Sequence, residues 1–141
     1  MDRLTAAELR GLFLFEKLDA EQLNWLAAHG HIETREAGTP VLTEGEPATC
    51  FFVLLEGTVA LCRTIGGQRI EVSRSSLRGS YFGATQAYLE LDQPTYQMTV
   101  ESITATSMLQ FDADEIGPTI RSWFPMAMHL LEGLFWGMRN T

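Results

Sequence analysis

A chain of 141 residues is the size of one domain, able to bury roughly two-thirds of its unfolded surface in a single core without a disulfide staple. Its net charge of −8 and pI near 4.8 exclude a general fit to a phosphate backbone, which needs clustered Lys and Arg, so no nucleic-acid partner is expected. The opening Met1-Asp2-Arg3-Leu4-Thr5 has no basic segment followed by an apolar signal core, and a cytoplasmic location is expected.

Thr5-Ala6-Ala7-Glu8 has the spacing of a capping box and predicts a helix start. Asp19-Ala20-Glu21-Gln22 repeats the signal, and Leu23, Leu26 and Ala27 recur at helical spacing until Gly30. Between the two helices, Phe13, Phe15 and Leu18 form an apolar elbow expected to be buried. From His31 the period changes to two. Residues 32–36, 40–43, 50–55, 58–65, 68–75, 97–102 and 106–112 read as short strands, punctuated by Ala37-Gly38, Gly45-Glu46-Pro47, Glu56-Gly57 and Gly66-Gly67. Strands this short and numerous argue for a sandwich, jelly roll or barrel.

The turn signal Glu56-Gly57 predicts a central hairpin of 50–55 with 58–65. It would be apolar on both faces, with Phe51, Val53 and Ala60 on one and Phe52, Leu54 and Leu61 on the other, and so needs helices outside as well as a core inside. In that register Cys62 faces Phe51 and Cys50 faces Arg63, which puts the two thiols on opposite faces and excludes a disulfide between them.

After Asp112 the pattern is helical again, with Asp112, Asp114 and Glu115 at the positive end of the dipole. Pro125 suits the first turn of a final helix. The stretch 123–138 carries Met126, Leu130, Leu134 and Met138 on one stripe and Trp123, Ala127, Leu131 and Phe135 on another, and Pro125, His129 and Glu132 make it too short and too polar to span a bilayer. One stripe suits the barrel and the other a second subunit, so a homodimer through this helix is expected. The whole chain, 1–141, reads as one domain: helices over 1–30, a barrel over 31–112 and helices over 113–141.

The segment Phe82-Gly83-Ala84-Thr85-Gln86-Ala87-Tyr88-Leu89, with Pro94 and Tyr96-Gln97-Met98-Thr99-Val100 after it, resembles the ligand cassette of the cyclic nucleotide-binding domain family. Gly38-Thr39-Pro40-Val41-Leu42, Glu44-Gly45-Glu46-Pro47, Phe52-Val53-Leu54, Glu56-Gly57-Thr58-Val59 and Tyr81-Phe82-Gly83 extend the resemblance over most of the chain. It implies an eight-stranded jelly-roll barrel, mainly β, with helices before and after. In the family the cassette holds a Glu for the ribose hydroxyl and an Arg for the cyclic phosphate. Here Ala84 and Tyr96 stand at those positions, which removes the strongest charge-assisted contacts.

The resemblance implies a ligand-sensing input domain of a bacterial signalling protein, such as the N-terminal sensor of a histidine kinase, because no helix-turn-helix follows the last helix. Phe82, Gly83, Ala84, Thr85, Tyr96 and Gln97 are the pocket positions. Tyr96 and Gln97 suit a neutral or aromatic small-molecule effector, and no cofactor is expected. Two alternatives stay open: a stand-alone dimerisation module whose pocket Tyr96, Met98 and Tyr88 fill, and a working cyclic-nucleotide sensor that binds through the amides of Ala84 and Thr85 at a helix start. Catalysis is not expected of this chain. His29 and His31 sit at a helix-to-strand junction without a third histidine before His129, and neither cysteine has a base beside it in sequence.

Overall fold

The computed structural model describes residues 3–83 and 92–123. Helix α1 (Ala6–Arg10) opens on the expected box: Glu8 donates its N–H to the Thr5 hydroxyl at 3.2 Å, and the Glu8 carboxylate accepts from the Thr5 N–H at 3.0 Å. Helix α2 (Ala20–His29) opens the same way on Asp19 and Gln22, at 2.8 and 2.9 Å. Between them lies a 3-10 turn, Phe13–Phe15. Leu14, Phe15 and Leu18 are buried there, but Phe13, expected in the elbow, is 38% exposed. Three residues per turn spread successive side chains around the axis, so three in a row cannot all face one core.

Eight strands follow: β1 (His31–Arg35), β2 (Pro40–Leu42), β3 (Cys50–Glu56), β4 (Val59–Ile65), β5 (Gln68–Ser75), β6 (Tyr81–Phe82), β7 (Thr99–Ser102) and β8 (Thr106–Asp112). They form two antiparallel four-stranded sheets, β1-β8-β3-β6 and β2-β7-β4-β5. This is the expected mainly-β jelly roll, with β6 completing the eight. Helix α3 (Ala113–Ser122) starts where Asp112 accepts from the Asp114 N–H at 2.8 Å. The final helix expected from Pro125 lies outside the described residues.

The central hairpin does not form. β3 pairs with β6 and β8, whereas β4 pairs with β5 and β7, so Glu56-Gly57 carries the chain from one sheet to the other. The β3–β8 register slips between Leu54 and Glu56, a bulge that bends the strand away. Beyond it, the Thr58 carbonyl accepts from the Ile103 N–H at 2.9 Å, and the Thr58 N–H donates to the Thr104 hydroxyl at 3.0 Å. The turn at 103–105 crosses between the sheets at the same place, and the two crossings hold each other. The cysteines are therefore in different sheets, Cys50 opposite Asp112 and Cys62 opposite Thr99 and Glu71, and both are free thiols.

Strand β3 is buried on both faces, as its sequence requires. Phe51, Val53 and Leu55 join Leu109, Phe111 and Ile116 against Leu9, Leu12, Leu14, Phe15, Leu18, Leu23 and Leu26 of the helical layer. Phe52 and Leu54 face the barrel interior with Val41, Leu42, Val59, Phe82, Tyr96, Val100 and Met108. Ala60, expected beside Phe51, is in the second sheet. Phe111 meets Phe15 and Phe51 edge to face, with centroids 6.1 and 6.0 Å apart. Each such contact is worth about 0.5–1.5 kcal/mol beyond the area it buries. That ring also explains Gly30: its φ of −87° is open to any residue, but a Cβ there would lie 2.7 Å from Phe111 Cε1.

Candidate functional site

The cassette enters through β6, where Phe82 lies opposite Phe52 and is buried in the barrel interior. Gly83 follows with φ +81°, and a Cβ on it would stand 2.7 Å from the Cys50 carbonyl oxygen. A side chain at this point would push the cassette off β3. Ala84, Thr85 and Tyr88 lie outside the described residues.

The return segment is tied down on three sides. Ala48 donates to the Pro94 carbonyl at 2.9 Å, Tyr96 donates to the Glu46 carbonyl at 3.0 Å, and the Tyr96 carbonyl accepts from the Gly45 N–H at 2.9 Å. The Tyr96 ring then turns into the barrel, leaving the residue 7% exposed. Its hydroxyl donates to the Cys50 carbonyl at 2.8 Å and accepts from the Cys50 N–H at 3.0 Å. Burial holds this phenol above its ordinary pKa, against the opposing pull of the hydrogen bond to Cys50, so it stays a neutral donor near pH 7. Gln97 is exposed, with its amide donating to the Thr95 carbonyl at 3.3 Å. Strand-like alternation accounts for the pair: one residue in, the next out.

Phe82, Gly83 and Tyr96 are thus brought together around Cys50, and Gln97 is not among them. Among the described residues the buried polar side chains are Thr99, Ser102 and Thr106, and none carries a charge. No buried cation takes the place of the family's Arg there. Sequence reasoning missed Gln110, whose Nε2 donates to Cys50 Sγ at 3.2 Å while its Oε1 is buried with no partner. It shares a face with Met108 on β8, the interior face. The signal was available as a lone amide in an otherwise apolar alternation from Met108 to Phe111.

The remaining candidates separate. His29 stacks on Trp25 at 3.9 Å and places Nδ1 2.7 Å from the Trp25 carbonyl, whereas His31 sits 3.0 Å from Glu33. No group of three metal-ligating side chains occurs among the described residues. A depression of about 270 Å3 is lined by Asp19, Glu21, Gln22, Trp25 and Trp123, on the helical side. None of the described helices is long and apolar enough to cross a membrane.

No curated protein matches this chain. Among solved structures, the sensor domain of the transcriptional regulator DNR from Pseudomonas aeruginosa is similar at 24% identity and a TM-score of 0.75, covering 94% of this chain and 87% of that one. The catabolite activator protein of Thermus thermophilus is similar at 22% identity and a TM-score of 0.73, over 91% of this chain and 59% of its own. The regulatory domain of Toxoplasma gondii PKA, solved with cAMP, is similar at 23% identity and a TM-score of 0.68, over 84% and 46%. At these identities the likeness is one of fold. The family model for the cyclic nucleotide-binding domain matches residues 32–122, from β1 to the end of α3, and by that match the chain belongs to the cyclic nucleotide-binding domain family.

Proposed function

We propose that residues 1–141 act as one regulatory input domain of a bacterial signalling protein, such as the N-terminal sensor of a histidine kinase, and that they do not hold cyclic nucleotide in the family's usual way. The observation that carries this reading is Tyr96: its ring occupies the barrel interior and its hydroxyl is spent on the backbone of Cys50. An effector that enters beside it is neutral and small, because no charged side chain is buried among the described residues to meet a phosphate. Phe82, Gly83, Ala84, Thr85, Tyr96 and Gln97 remain the positions at which such a molecule is recognised. The chain itself is regulatory and not catalytic, works in the cytoplasm, and passes its state to the last helix, whose outer stripe makes a homodimer. A second reading, a dimerisation module that binds nothing small, is favoured by the same filled interior.

A thermal-shift titration with cyclic AMP and cyclic GMP separates both readings from a working cyclic-nucleotide sensor. At a hundred times its dissociation constant a bound ligand adds about 2.7 kcal/mol to stability. The parent is expected to show no shift, and an Ala84→Glu, Tyr96→Arg variant is expected to show one. Stabilisation of the parent would mean that the amides of the cassette suffice and that the proposal is wrong. For the dimer, Leu130→Glu and Leu134→Glu variants are expected to be less associated than the parent in sedimentation. If both associate like the parent, the helix is not the interface.

A further inference from the structure

The tip of the β4–β5 hairpin leaves three β-branched apolar side chains in solvent: Ile65 at 55%, Ile70 at 41% and Val72 at 45% exposure. Ile65 lies opposite Gln68 across Gly66-Gly67, with φ of +58° and +79°, the two-residue turn that closes a hairpin with a mutually hydrogen-bonded pair. Bonded and non-bonded pairs alternate from there, so Ile70 opposite Arg63 is bonded inward. The main-chain groups of Arg69 and Glu71 then point away from β4. Among the described residues no second strand lies on that side.

We propose that this edge pairs with a second copy of the chain, antiparallel about a two-fold axis at Ile70. Charge selects the register. The outward groups at 69 and 71 must meet their counterparts on the other copy. An axis at Arg69 sets Arg against Arg, and an axis at Glu71 sets Glu against Glu. An axis at Ile70 sets Arg69 against Glu71 of the partner subunit, and Glu71 against Arg69 of the partner subunit. Charges on an edge strand ordinarily discourage pairing, but here their alternating sign makes the edge complementary to itself.

The same axis brings Ile70 against its own copy in a close, non-bonded pair. Ile65 stands on the same face one strand further in, so the apolar strip runs on across the new edge into its image. The register slip between Leu61 and Cys62 leaves Val72 as the extra residue of β5, which limits the contact to residues 68–72. In the single chain Arg69 bonds Glu101, and Glu71 bonds Arg74 at 2.7 and 3.0 Å. Both are exposed pairs that an incoming charge can join. This contact is separate from the helix-mediated dimer proposed above.

Cysteine placement tests it without reference to the helix. Under mild oxidation, Ile70→Cys is expected to form a covalent dimer while Ile65→Cys and Val72→Cys, equally exposed, remain single chains on a non-reducing gel. The parent, whose own thiols are buried or half-buried, is the control. Added to Ile70→Cys, either Arg69→Glu or Glu71→Arg is expected to cut the yield several-fold, and mixing the two singly charge-reversed proteins is expected to restore it as a mixed dimer. Equal crosslinking at 65, 70 and 72, or a mixture no better than its components, overturns the proposal.

Discussion

Replacement of Tyr96 by alanine is expected to lower stability by about 3–5 kcal/mol, the range for removing a large buried ring. Tyr96→Phe is expected to cost about 1–3 kcal/mol. The two numbers separate two contributions. The ring fills the interior between Phe82, Phe52 and Val100, and its loss leaves a cavity in the middle of the second core. The hydroxyl satisfies both main-chain groups of Cys50 at the point where β3 meets the cassette, and phenylalanine leaves both without that partner. Urea unfolding of the two variants checks this. A Tyr96→Phe protein as stable as the parent would mean that water or Gln110 replaces the hydroxyl. A Tyr96→Ala protein as stable as the parent would mean that the ring is no part of the core.

Gly57→Ala is expected to cost about 2–6 kcal/mol, which few single methyl groups do. Its φ of +101° carries about 1–3 kcal/mol of strain for any residue with a Cβ. A Cβ there also lies 2.5 Å from the Ala105 carbonyl oxygen and 2.7 Å from Thr106 Cγ2, and overpacking of this kind adds about 1–3 kcal/mol. The nearest obstacle, the Ala105 carbonyl, is backbone, so turning the Thr106 side chain does not clear the way. Gly38→Ala is the comparison. It shares a positive φ, +86°, but meets nothing within 4 Å, so its cost is expected to stay with strain alone. Thermal unfolding of the two variants is expected to rank Gly57→Ala well below Gly38→Ala. Equal midpoints would mean that the contact with the 103–105 turn relaxes freely.

That contact also shows where reading the chain stopped short. Local signals were legible: both capping boxes are present on the residues that announced them, and the period-two segments became strands within a residue or two. Glu56-Gly57 misled because a glycine turn between two apolar strands looks the same whether it closes a hairpin or crosses between sheets. The choice is made by residues 103–106, nearly fifty positions away. Gly30 was read as a helix stop, which it is, but the pressure on it comes from Phe111 and not from its backbone angle. Within the candidate site, Tyr96 and Gln97 are both expected from the sequence to line the pocket, but only Tyr96 is buried, and nothing near position 96 names Cys50 as the partner of the phenol.

One feature of the first sheet bears on how the chain is made. Among the described residues strand β1 is hydrogen-bonded to β8 alone, with His31 opposite Gln110. At a synthesis rate of about 5–20 residues per second, β1 waits about 4–16 s for its partner to be translated. During that interval it is an unpaired strand, the element most prone to join a neighbouring chain. Its composition suits the wait: His31, Glu33 and Arg35 alternate with Ile32 and Thr34, so the segment that must idle longest is also the least adhesive of the long-paired strands.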